Sequence, residues 1–148
     1  MFSLKDQSII NQAKSILLTE LLTTPAFTDP ATVKDFCQLE IGHLEHEVFA
    51  VMFLNQRHQM IAFSEMFTGT IDGASVYPRE VAKAALANNA AAVIFSHNHP
   101  SGTTEPSTSD ERITSRLVNA LDLFDIRVLD HIVVGKGDAT SFAERGLL

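Results

Sequence analysis

The residues best suited to chemistry stand in one stretch, His97-Asn98-His99-Pro100-Ser101-Gly102, with Asp110 eleven positions beyond His99. The apolar run Ala92-Val93-Ile94-Phe95 before it reads as a buried strand, and the Pro/Ser/Gly-rich text after it reads as a loop. In an extended segment residues i and i+2 project to the same side, so His97 and His99 aim two imidazoles at one spot while Asn98 points away. That is metal-ligand geometry, and a carboxylate returning across a loop rich in turn formers supplies a third donor. Each residue also has a purely structural use. A lone buried histidine is more often a hydrogen-bonded core residue, and Ser107-Thr108-Ser109-Asp110 is a capping-box pattern, with Ser107 as N-cap and Asp110 at the third helical position. The two uses of Asp110 are compatible, because a carboxylate has two oxygens.

Helices and strands must position this stretch. Apolar residues at Ile9, Ile10, Ala13, Ile16, Leu17 and Leu21 follow a helical period from Ser3 to about Leu22, with Ser3 and Asp6 forming a capping box, and Thr23-Thr24-Pro25 ends the helix. Asp29 as N-cap and Pro30 at the first position open a second helix running to Gly42, with Val33, Phe36 and Cys37 on its apolar side. Thr23 to Asp29 reads as a linker. The continuous apolar run Val48–Leu54 reads as a strand covered on both faces, and a turn at Asn55–His58 returns it antiparallel through Met60–Thr68. Gly69 and Gly73 punctuate a loop before a helix from Pro78 to about Asn89. Beyond the histidine loop come a helix from Glu111 to Phe124, a strand from Ile126 to Val134 and a short strand around Ser141-Phe142. This alternation, with one hairpin, predicts an α/β fold in which helices cover both faces of a mixed sheet.

Composition bounds the rest. The chain has 148 residues, 45% of them hydrophobic and 20% charged, which suits one folded domain with a two- or three-layer core. The formal net charge of −7 disfavours nucleic acid as a partner, and Glu111 beside Arg112 weakens any basic strip that Arg112 and Arg116 could form. The single cysteine, Cys37, excludes an internal disulfide framework and reads as a small core residue. No apolar run approaches the ~20 residues of a membrane span, no signal-peptide core is visible, and a cytoplasmic protein is expected. His131, in an apolar strand, reads as a hydrogen-bonded core histidine. His43, His46 and His58 fall in turn or edge regions and read as exposed, and Arg79, at a helix start, has no decided role.

At its central residues the chain resembles a known family. His97-x-His99-x10-Asp110 matches the JAMM signature of MPN-type metallopeptidases, and His97-Asn98-His99-Pro100-Ser101-Gly102 with Pro106-Ser107-x-x-Asp110 is close to the RadC form. Tyr77-Pro78-Arg79-Glu80, Leu129-Asp130-His131-Ile132-Val133-Val134-Gly135 and Ser141-Phe142 agree as well, so the resemblance spans roughly Leu39 to Leu148. It implies the MPN fold, a three-layer α/β/α arrangement similar to cytidine deaminases, over residues 39–148, preceded by a helical N-terminal extension over 1–38. It also implies a zinc site with His97, His99 and Asp110 as ligands.

Three protein ligands leave a fourth tetrahedral position for water, the mark of catalytic zinc. The expected activity is a zinc-dependent metallopeptidase or isopeptidase working through zinc-bound hydroxide on an unidentified peptide or protein. The family's base is a glutamate upstream of the histidines at a strand entry. Glu40, Glu45 and Glu47 are candidates, with Glu47 first and Glu45 second. Ser107 matches the serine that polarises the substrate carbonyl, with Ser101 as its weaker rival. Iron also suits two histidines and a carboxylate. A noncatalytic MPN-type interaction module and a metal-dependent DNA-repair accessory or nuclease are the alternative functions. Longer RadC proteins carry a helix-hairpin-helix region with a DNA-repair association. The roughly forty residues before the matching body contain no Gly-rich hairpin of that kind, so a stand-alone form is expected.

Overall fold

A computed structural model describes residues 2–25, 30–69 and 76–148. Nine elements follow in chain order: α1 (Leu4–Thr23), α2 (Pro30–Ile41), β1 (Val48–Leu54), β2 (Met60–Thr68), α3 (Pro78–Ala87), β3 (Ala92–Asn98), α4 (Thr108–Asp122), β4 (Arg127–Val134) and β5 (Ala139–Ser141). The expected Asp29 cap, most of the expected linker and Gly73 lie outside the described residues.

The five strands form one sheet in the order β2-β1-β3-β4-β5. β1 runs antiparallel to both β2 and β3, β3 and β4 are parallel, and β5 returns antiparallel on β4, so the sheet is mixed as expected. Every residue of β1 and β3 is buried, which explains their unbroken apolar text, whereas the edge strand β2 is mostly only partly covered. Side-chain parity sorts the core into two layers. On one face Val33, Phe36, Cys37 and Ile41 of α2 pack with Ala50, Met52, Ile94 and Ile132. On the other, Val81 and Ala85 of α3 and Ile113, Leu117 and Leu121 of α4 pack with Phe49, Val51, Phe53 and Phe95. The result is the three-layer α/β/α arrangement. α2 crosses position 38 and belongs to the same core as the sheet.

α1 begins with the N-cap half of the expected box, the Ser3 hydroxyl accepting from the Asp6 N–H at 3.1 Å. Its apolar stripe is only partly covered, however. Leu21 is buried, but Ile9 is 55% and Ile16 72% exposed. The cause is placement: α1 packs mainly on α2 and touches β2 near its end, instead of lying on the sheet. Two smaller corrections follow. His58 is half-buried in the hairpin turn with φ 61°, and β5 stops at Ser141, after which the Phe142 N–H still donates to the His131 carbonyl at 3.0 Å. His43 and His46 are exposed as expected, and Arg79, Arg112 and Arg116 are exposed too. Cys37 is fully buried and burial pushes its thiol up to about 12, against a lowering by the Ser96 hydroxyl, as suits a core residue. Among the described residues no helix is long and apolar enough to cross a membrane.

Candidate metal centre

The site forms at the carboxyl end of β3, the end at which open α/β sheets bind ligands. β3 carries His97 as its penultimate residue, and the chain leaves it at His99, whose N–H still donates to the Val134 carbonyl at 2.8 Å. A tight turn follows, closed by the Gly102 N–H donating to the His99 carbonyl at 2.9 Å. Gly102 adopts φ +94°, a conformation only glycine takes without strain. The turn lies against the end of β4 so closely that a Cβ on Gly135 would meet the Gly102 carbonyl oxygen at 2.4 Å. The loop then climbs to α4, whose first turn is the expected capping box. The Asp110 N–H donates to Ser107 Oγ at 3.0 Å and the Ser107 N–H donates to Asp110 Oδ2 at 2.7 Å. This reciprocal pair aims the Asp110 carboxylate back at the strand end.

His97, His99 and Asp110 converge, with ligand-capable atoms all within 4.8 Å of one another. The two imidazole Nε2 atoms are 2.9 Å apart. His97 Nε2 lies 3.1 Å from Asp110 Oδ1, and His99 Nε2 lies 3.2 Å from Asp110 Oδ2. A tetrahedral cation with bonds of about 2.05 Å holds its donors about 3.3 Å apart, so the cluster needs little adjustment to take one. The donor chemistry agrees. His99 Nδ1 faces the Thr103 carbonyl at 3.1 Å, which can only accept, so Nδ1 carries the hydrogen and the neutral ring presents a bare Nε2 to the cluster. Electron-rich atoms facing one another at these distances call for a cation between them, proton or metal.

The electrostatics carry the same message. Burial would raise the Asp110 carboxyl, yet the facing imidazoles of His97 and His99 and the Ser107 N–H together hold it far below the usual carboxylate range. His99 is raised, chiefly by its bond to Asp110, and the Glu47 carboxylate adds to that shift. His131 is pulled well below the ordinary histidine value, first by burial and then by its histidine neighbours, so it stays neutral.

Of the three upstream acids, Glu47 is the one the fold brings to the cluster. Glu47 immediately precedes β1, whose Phe49 pairs with His97, and its carboxylate is near enough to help raise the His99 imidazole. Glu47 is half-buried. Glu45 sits exposed in the preceding bend, and Glu40 lies on α2, across the sheet, 3.7 Å from Lys14 Nζ. Ser101 is exposed in the turn, whereas Ser107 is tied to Asp110.

Two positions carry more than their sequence context signals. Asn98, which points to the opposite face as expected, spends its whole amide on the segment around Glu47. Its Oδ1 accepts from the Val48 N–H at 2.7 Å and its Nδ2 donates to the carbonyls of His46 at 2.9 Å and Leu44 at 3.3 Å. The middle residue of His-Asn-His therefore fastens the acid to the strand that bears the histidines. Asn98→Ala is expected to lower stability by about 1–3 kcal/mol, because buried backbone groups lose their partner, while leaving metal stoichiometry intact. Denaturant unfolding together with metal analysis would check this. His131 is the second such position. It is buried as expected, but its partner is His97, with Nε2 2.7 Å from His97 Nδ1.

A mixed-sheet α/β domain with a buried His-His-Asp cluster at its strand ends, able to hold a metal ion, is the architecture of a JAB or MPN domain. A family model described as RadC-like JAB domain matches residues 27–147, and the chain belongs to that family. It is 55% identical over 141 residues to a UPF0758 protein of Methylibium petroleiphilum, covering 95% of this chain and 64% of the relative. A UPF0758 protein of Cellvibrio japonicus is 53% identical over 142 residues, covering 96% of this chain and 63% of the relative. One of Vibrio cholerae is 52% identical over 143 residues, covering 97% and 90%. The chain thus spans a little under two thirds of the length of the first two relatives and most of the third.

Proposed function

We propose that this domain is a zinc-dependent hydrolase cleaving peptide or isopeptide bonds, with His97, His99 and Asp110 as ligands and Glu47 as general base. The observation that carries this reading is the spacing of the two Nε2 atoms and the Asp110 oxygens, and the influence of the Glu47 carboxylate on His99 supports its choice as base. Three protein donors of this type suit zinc and leave one position open. When bound, zinc supplies Lewis acidity and a water acidic enough to ionise near neutral pH.

The chain's own groups do the rest. Glu47 takes the proton from the attacking water and hands it to the leaving amine, a role that needs a carboxylate within hydrogen-bond reach of the open position. Ser107 Oγ accepts from the Asp110 N–H, which leaves its hydroxyl hydrogen to donate to the oxygen that gains charge on the scissile carbonyl. The loop from Ser101 to Pro106, whose Thr103 carbonyl meets His99, would help set which residues flank the cleaved bond. The formal net charge of −7 favours a polypeptide substrate over nucleic acid.

The test is hydrolysis of a panel of fluorogenic peptides and isopeptide-linked conjugates by zinc-loaded protein. Cleavage that stops on chelation and returns with zinc is the expected result. Cleavage indifferent to chelation, or none across the panel by protein with one zinc bound, would refute the reading.

A further inference from the structure

Beneath the candidate ligands runs a chain of hydrogen bonds that starts and ends on the cluster. The Thr114 hydroxyl lies 2.7 Å from the Asp110 carbonyl, one turn back on α4. A carbonyl only accepts, so the single hydroxyl hydrogen of Thr114 is committed there. Thr114 Oγ1 is also 2.6 Å from His131 Nδ1. With its hydrogen already used, that oxygen can only accept, so His131 Nδ1 must be the donor. The His131 ring is fully buried and bonds only to His97 and Thr114, with no carboxylate bonded to it among the described residues to balance a charge, so it is neutral; its bare Nε2 lies 2.7 Å from His97 Nδ1 and accepts from it. His97 consequently carries its hydrogen on Nδ1, and its Nε2 lone pair faces His99 and Asp110. We infer that Thr114 and His131 are positioning residues that set the tautomer of His97, so that its Nε2 is presented to the metal.

The surroundings suit this role. Thr114 and His131 are both buried, and His131 is walled by Phe49, Phe95 and Phe142, with the Phe142 ring stacked on it at 4.6 Å between centroids. No other polar side chain bonds to the His131 ring among the described residues, so the placement of its hydrogen follows from Thr114 and His97. The chain also couples the ligands. Asp110 supplies a carboxylate to the cluster from its side chain and anchors the relay from its backbone, so one turn of α4 orients both an acid and an imidazole. His99 needs no such relay, because the Thr103 carbonyl sets its tautomer directly. An outer partner of this type commonly changes metal affinity by about 10–100-fold when removed.

This inference rests on the metal-site reading, and its test separates the two. Thr114→Val keeps the shape and removes the hydroxyl, Thr114→Ser restores it, and His131→Gln keeps an acceptor that His131→Leu lacks. Zinc affinity would be measured by competition with a chromogenic chelator. The tautomer of His131 would be read from its ring 15N shifts in metal-free and zinc-loaded full-length protein. Expected are an Nδ1–H, bare-Nε2 His131 in the unmodified protein and affinity about tenfold weaker or more in Thr114→Val and His131→Leu. Thr114→Ser and His131→Gln should recover most of that loss. A His131 protonated on Nε2, or Val and Leu variants that fold and bind zinc as the unmodified protein does, would overturn the relay. Unmodified protein that shows the tautomer but binds no zinc would instead overturn the metal-site reading.

Discussion

Glu47→Gln is expected to reduce kcat by about 10²–10⁴-fold while the protein keeps a full complement of metal. The substitution preserves shape and hydrogen bonding but removes the proton-accepting oxygen. Nothing in the ligand set changes, because His97, His99 and Asp110 are held by β3, the turn and α4, not by Glu47. The backbone around position 47 also stays in place, since Asn98 grips the residues on either side and the Glu47 carbonyl accepts from the Gly69 N–H at 2.9 Å. Kinetics and metal content measured on one preparation would separate a lost base from a lost metal. A Glu47→Gln protein with unchanged kcat would transfer the base to another group, with Glu45 the nearest in sequence.

Asp110→Asn is expected to abolish stoichiometric metal binding at little cost to the fold. The amide oxygen still accepts from the Ser107 N–H, so the capping box survives, but the negative donor between two imidazoles is gone. Asp110→Ala removes the cap as well and is expected to cost about 1.5–3 kcal/mol more, the worth of a hydrogen bond to a charged acceptor. The comparison isolates the two uses of one carboxylate. Thermal unfolding reports the cap and metal analysis reports the ligand. If Asp110→Asn retained tightly bound metal, the carboxylate would be a cap alone.

Much of this architecture is legible in the sequence, and the reasons are physical. Local signals are strong where one short stretch decides the outcome: the i, i+2 spacing of His97 and His99, the Ser107–Asp110 box, and the continuous apolar text of β1 and β3. What escapes a sequence reading depends on contacts between distant segments. His131 reads as an ordinary core histidine because its partner lies 34 positions away and meets it only through the parallel β3–β4 register. The part played by Thr114 depends in turn on that placement of His131. Asn98 reads as merely facing away, and only the β1–β3 ladder shows that it faces the segment around Glu47. For α1 the periodic apolar residues predict the helix that forms, but periodicity does not say how much of a helix reaches the core, and Leu4 is 92% exposed.

Metal analysis of protein purified without chelators tests most directly whether His97, His99 and Asp110 form a metal centre. One zinc per chain, lost when His97 or His99 is replaced by alanine, is the predicted result. No stoichiometric metal in folded protein with all three residues intact would contradict it.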